Sequence, residues 1–199
     1  MQASIKLLFV ALFTWLGWAH LASGQMNSWQ QEVHYRMQVE LNTENHGLQG
    51  QEELRYINHS PDTLREVFYH LYFNAFQPNS MMDTRSRNLP DPDGRVKDRI
   101  QKLKPDEIGY HRIQQLAQNG KNLEFTIRGT LLQASLAQPL APGDTALLEM
   151  DFQSQVPVQI RRSGRNNEEG IDYTMTQWYP KIAAYDAHGW HPDPYVARE

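Results

Sequence analysis

The sequence predicts an all-β fold, a twisted sandwich or saddle of mostly antiparallel strands preceded by a signal peptide. Residues 33–41 alternate strictly between apolar and polar side chains, the period of a half-buried strand. Turn residues punctuate the chain between short apolar stretches, and neither a helix–strand unit nor an internal repeat recurs. Aromatic residues are plentiful, with 5 Trp and 9 Tyr. That suits β-structure, although the count alone does not choose between strands, interfaces and a ligand groove.

At 199 residues the chain can bury a hydrophobic core of its own. It contains 0 Cys, which rules out disulfides, zinc–thiolate sites and a Cys nucleophile. Its 19 basic and 23 acidic side chains give no concentration of positive charge, so no nucleic-acid partner is expected.

The first 24 residues read as an address. Lys6 precedes an apolar run from Leu7 to Trp18, and small residues follow at Ala22, Ser23 and Gly24. That order matches a secretory signal peptide, cut after Gly24 or Ala22. The run is shorter than the roughly 20 residues that span a bilayer, so a cleaved signal is favoured over an anchor. The other windows are too polar to span a membrane. The expected organisation is a signal peptide at 1–24 and one β domain at 25–199, secreted or periplasmic.

In the first strand Val33, Tyr35, Met37, Val39 and Leu41 share one face. A turn at residues 43–47 leads into a second strand with Leu48, Leu54 and Tyr56 on one face, and the two form a hairpin. Residues 63–76 carry bulky side chains on both faces, which predicts a central strand buried on both sides. Residues 77–94, with Pro78, Pro90, Pro92 and Gly94, read as a loop long for a compact domain. Between Pro105 and Gly120 the signals conflict. Pro105-Asp106-Glu107 resembles a first helical turn and Asn119-Gly120 a stop, yet no clean apolar stripe joins them. The residues lean slightly towards a helix. Strands resume with Leu123, Phe125 and Ile127 on one face, with an apolar stretch over residues 130–140, and with residues 145–158, where Leu148, Met150 and Phe152 share a face. From Ile171 the chain packs Trp178, Tyr179, Tyr185, Trp190 and Tyr195 among Pro and Gly.

Several chemistries lack their residues. His188 and His191 stand three apart, but Gly189 and Pro192 disfavour the helix that would align them, and a metal site needs three or four converging ligands. Asp83, Asp91, Asp93 and Asp98 lack the spacing and closing Glu of a calcium loop. Serine-elbow, phosphate-loop and zinc-helix motifs are missing from the sequence. Asn58-His59-Ser60 fits a glycosylation sequon, a pattern common by chance. Arg161, Arg162 and Arg165 read as a solvated turn. The best candidate is the C-terminal aromatic block. Gln177 offers both a donor and an acceptor, and a cleft of Trp178, Tyr179 and Trp190 would suit a peptide or sugar. Edge packing beneath a neighbouring domain remains the alternative.

That block, TMTQWYPKIAAYDAHGWHPDPY from Thr174 to Tyr195, resembles the N-terminal domain of M1 family zinc aminopeptidases, especially secreted Bacteroidetes-type members. ELRYINHSPD from Glu53, HLYFNAF from His70 and LLQASLAQPLAPGD fit the same pattern, so the resemblance covers about residues 30–199. It implies a β-saddle lending a loop to a peptide cleft. Gln177 matches the first Gln of a T-Q-x-(E/Q) element that recognises the peptide's free amino end. Tyr179 stands where many members carry Glu or Gln, and a phenol cannot offer a carboxylate's charge to an ammonium. The resemblance makes Gln177, Trp178 and Tyr179 substrate-binding, and puts Tyr185, Trp190 and Tyr195 against the catalytic domain of the same parent protein. It assigns zinc and the catalytic base to an H-E-x-x-H helix after this domain, so this chain supplies neither a catalytic residue nor a metal ligand. As a fragment or truncated product it would be inactive alone. It also turns residues 108–118 into a strand. The rival reading is a secreted, non-catalytic β-sandwich binding or scaffold protein.

Overall fold

The computed structural model describes residues 29–89 and 94–196. The signal-peptide reading of residues 1–24, and Asp91 and Asp93, lie outside the described residues.

Two antiparallel sheets face each other. The larger contains β1 (Glu32–Asn42), β2 (Gly47–Ile57), β4 (Tyr110–Gln118), β5 (Lys121–Asn122) and β8 (Thr145–Gln155), in the order β1-β2-β8-β4-β5. The smaller contains β3 (Leu64–His70), β6 (Phe125–Arg128), β7 (Leu131–Leu140) and β11 (Lys181–Ile182), in the order β11-β3-β7-β6. Two short ribbons complete the set: β9 (Gly164–Arg165) with β10 (Tyr173–Thr174), and β12 (Tyr185–Asp186) with β13 (Gly189–Trp190). The predicted all-β sandwich is observed.

The hairpin of β1 and β2 runs in unbroken register from Glu32 opposite Ile57 to Asn42 opposite Gly47. Period-two alternation puts Leu48, Gly50, Glu52, Leu54 and Tyr56 on the inner face, all buried. Across the strands the inner face reads in rows, with Met37, Glu52, Met150 and Leu116 forming one of them. The main core lies between the sheets, where Leu54 and Leu148 meet Val67, Tyr69 and Leu132.

Glu52 is the exception in this core. It is 2% exposed, and neither carboxylate oxygen has a hydrogen-bond partner among the described residues. Burial pushes its pKa up to about 8, because the charged form would lie in an apolar interior.

Residues 105–118 contain no helix. The chain makes a turn at Lys104–Ile108 and then forms β4. A bulge between Ile113 and Gln115 inserts one extra residue, which brings Ile113 and Leu116 to one face, opposite Phe152 and Met150. The bulge thus breaks the strand's alternation in mid-course, which is why neither a helical nor a strand period reads cleanly here. Asn119 and Gly120, both at positive φ, form a tight hairpin turn rather than a helix stop.

The strand predicted over residues 63–76 is shorter and lies beside the sheet edge. Leu64, Val67 and Tyr69 of β3 are buried while Glu66, Phe68 and His70 are half-buried. The bulk on the second face is explained by cover from Trp190, 5.8 Å from Phe68. The chain then leaves the sheet in a 3-10 turn at Tyr72–Ala75. That turn carries Ala75 and Phe76 into a second cluster with Met82, Val96, Ile100 and Ile160.

The 77–94 loop contains an eight-residue helix, α1 (Met81–Asn88). Ser80 Oγ accepts from Asp83 N, a standard cap. Asp83 is fully buried, accepts from Asn79 N and pairs with Arg87 at 3.2 Å. Asp98 pairs with Lys102 at 2.7 Å. Both acids therefore have structural partners. Asn58 is also structural. It is 0% exposed, donates to the carbonyls of Asp62 and Leu140, and accepts from Ser60, so the folded chain offers no amide at the sequon.

Candidate functional site

The open side of the sandwich lies where β1, the edge of one sheet, approaches β11, the edge of the other. Tyr35 reaches from β1 across this gap, and Ile182 N donates to its hydroxyl at 2.9 Å. Around that bond lies a cleft of about 490 Å³, within the size range of small-ligand sites. Its aromatic walls are Trp29, Tyr35, Tyr56, His70, Tyr72 and Tyr185. Val33, Ile182 and Ala183 add apolar surface, with Lys181 and Asp186 among the flanking residues.

The walls are braced by ring contacts. Trp29 stacks on Tyr185 at 5.8 Å, and Tyr185 meets Trp190 edge-on at 5.1 Å. Trp190 in turn lies 6.1 Å from Tyr56, and His70 stacks on Tyr72 at 5.3 Å. Tyr185 also donates to Asp62 at 2.8 Å. Burial and then this bond push its phenol up to about 12. Burial raises the phenols of Tyr35, Tyr56 and Tyr72, and lowers His70, assisted by Lys181. At neutral pH the lining is therefore uncharged apart from its flanks. Tyr56 is 1% exposed and its hydroxyl has no hydrogen-bond partner among the described residues. Uncharged aromatic walls suit a ligand with an apolar or aromatic group.

The expected substrate-binding residues sit on the adjoining loop. Gln177 is exposed, with φ of +50°, a backbone conformation uncommon outside Gly, Asn and Asp. Trp178 and Tyr179 are half-buried and meet edge-on at 5.5 Å. Tyr179 packs against Tyr35 at 5.4 Å, behind the cleft wall. Trp178 packs instead on a third cluster, Leu48, Phe73 and Val156. The cleft is thus not walled by Trp178, Tyr179 and Trp190 themselves; two of the three brace it from behind.

Tyr185, Trp190 and Tyr195 are each half-buried. The first two pack on the main core, whereas Tyr195 joins the second cluster and meets Tyr72 edge-on at 5.2 Å. Sequence reasoning missed Tyr35, Tyr56, His70 and Tyr72 as cleft residues. Each reads as an ordinary strand residue, and only the meeting of two sheet edges sets them around one space.

His188 and His191 do converge, but on Asp186, at 3.5 and 2.8 Å. No group of three or more His, Asp or Glu side chains with metal-holding geometry exists among the described residues. The residues present do not fit a zinc site, and no catalytic step is assigned to them. No helix among the described residues is long and apolar enough to cross a membrane.

No protein-family model and no curated protein matches the chain. Among solved structures it is similar to an M1 zinc metallopeptidase from Deinococcus radiodurans, with 16% identity and a TM-score of 0.45 over 74% of this chain and 26% of that one. A two-domain M1 zinc metallopeptidase mutant bound to L-tryptophan gives 17% identity and a TM-score of 0.45, over 77% of this chain and 28% of that one. The chain spans about a quarter of the length of these proteins. A likeness at this level assigns no activity.

Proposed function

We propose that residues 25–199 are the N-terminal β domain of an M1-like zinc metallopeptidase of secreted or periplasmic location, and that this domain forms one wall of its peptide-binding site. One observation carries the reading. The Thr174–Tyr195 block on which the sequence resemblance rests also supplies the Gln177 loop and, through Lys181–Asp186, one side of the aromatic cleft.

In this reading Gln177 meets the amino end of a peptide through its side-chain amide. Tyr179 fills the place of a family carboxylate by packing on Tyr35, so recognition of the ammonium charge is weaker than a Glu would give. The cleft takes an apolar or aromatic side chain. Tyr185, Trp190 and Tyr195 face the catalytic domain of the same protein. Zinc and the hydrolytic chemistry belong to that domain, and this chain binds and orients without cleaving.

A second reading, a secreted non-catalytic binding or scaffold protein, draws on the cleft being walled by this chain's own side chains. The coding sequence beyond codon 199 separates the two. An in-frame H-E-x-x-H segment is expected on the first reading. A stop codon directly after Glu199, with a soluble folded product, overturns it in favour of the second.

A further inference from the structure

β1 is the longest strand at an edge, with 11 residues. Among the described residues it pairs only with β2, and its register there is unbroken. The other edges are blunted. β11 and β5 have two residues each and β6 has four. β4, next to β5, carries the Ile113/Gln115 bulge. β1 has neither a proline nor a bulge, and a long regular edge is a template for another strand. It also exposes two large apolar side chains, Val33 and Leu41, each 38% exposed.

We infer that β1 pairs with β1 of a second copy, antiparallel about a two-fold axis at Met37. The sequence of the strand is complementary to its own reverse in this register. Val33 then faces Leu41 of the other copy, so the two exposed apolar residues cover each other twice. Tyr35 faces Val39, and Arg36 faces Gln38. His34 faces Glu40, which places an imidazole opposite a carboxylate at two symmetric positions. His34 already bonds Glu32 at 2.6 Å along its own strand, so each pairing extends a carboxylate–imidazole row. Opposed complementary pairs stabilise a sheet and like charges oppose it. Eleven residues in register exchange about ten inter-strand hydrogen bonds, the number an average protein interface carries. A two-fold isologous contact closes on itself, so it forms a dimer rather than a fibre.

The absence of Cys permits a direct test. In Met37→Cys the only thiols in solution stand opposite each other across the axis, within disulfide reach. Mild oxidation should give a covalent dimer at least tenfold faster than in Ile127→Cys, whose site on β6 is more exposed, at 40%, than the half-buried Met37. In sedimentation of the purified protein, His34→Glu should weaken the dimer about tenfold by opposing two carboxylate pairs, and His34→Glu with Glu40→Lys should restore it. Circular dichroism checks that each variant is folded. A monomeric wild-type protein, equal cross-linking at positions 37 and 127, or a folded His34→Glu variant with unchanged association would each overturn the pairing.

Discussion

The ring of Phe152 lies over Gly50 on the neighbouring strand. A Cβ built on Gly50 would stand 2.5 and 2.7 Å from two of the ring's edge carbons. The two residues are opposite each other in the pairing of β2 with β8, so Phe152 can fill the core only because Gly50 has no side chain. Gly50→Ala should cost about 1–3 kcal/mol, the range for overpacking a core. Urea unfolding checks it, and an unchanged midpoint would show that the ring moves freely aside.

Glu52 makes the fold sensitive to alkali. Its pKa lies at about 8 in the folded chain against an ordinary 4.5. Its contribution is fully present below pH 4.5 and is lost as pH rises towards 8, because the unfolded chain releases the proton first. Each pH unit in that window costs about 1.4 kcal/mol. Glu52→Gln should abolish this slope, as read from denaturant unfolding across the window.

His111 has the opposite sign. It is buried, bonds Ser154 Oγ at 2.6 Å and stacks on Phe73 at 4.9 Å. Burial lowers its pKa to about 3 from 6.5, so the folded chain keeps it neutral. Stability falls as pH drops from 6.5 towards 3, while the unfolded chain takes up the proton. Between pH 4.5 and 6.5 the slopes from Glu52 and His111 oppose and cancel. Their joint effect is a plateau there, with losses on both sides. Stability of Glu52→Gln should still fall on the acid side, and that of His111→Gln on the alkaline side.

Asn58 closes the end of β2 through its bonds to Asp62, Leu140 and Ser60. Asn58→Ala removes its bonds to the Asp62 and Leu140 carbonyls and should cost about 1–3 kcal/mol. Thermal unfolding measures it. A cost near zero would mean that water replaces the side chain.

The alternation of Val33 to Leu41 and the turn at 43–47 made the first hairpin legible, because one buried face and a short loop fix both period and register. β4 was obscured by its bulge, which shifts the side-chain phase in mid-strand. α1 was hidden because eight residues between prolines leave little periodicity to read, and its cap depends on Ser80 and a buried Asp83. At the candidate site the Gln177–Tyr179 loop was legible as a cluster of unusual residues. The cleft was not. Tyr35, Tyr56 and His70 come from three strands, and their convergence depends on how two sheet edges approach.

Titration of the purified protein with a short peptide bearing a free amino end and an N-terminal Phe, followed by amide NMR, tests the central claim most directly. The account predicts saturable shifts confined to residues around Tyr35, Tyr56, Tyr185 and Gln177. It further predicts weaker binding of the N-acetylated peptide and of the protein carrying Gln177→Ala. Saturable binding elsewhere on the molecule, or no shift at millimolar peptide, would contradict it.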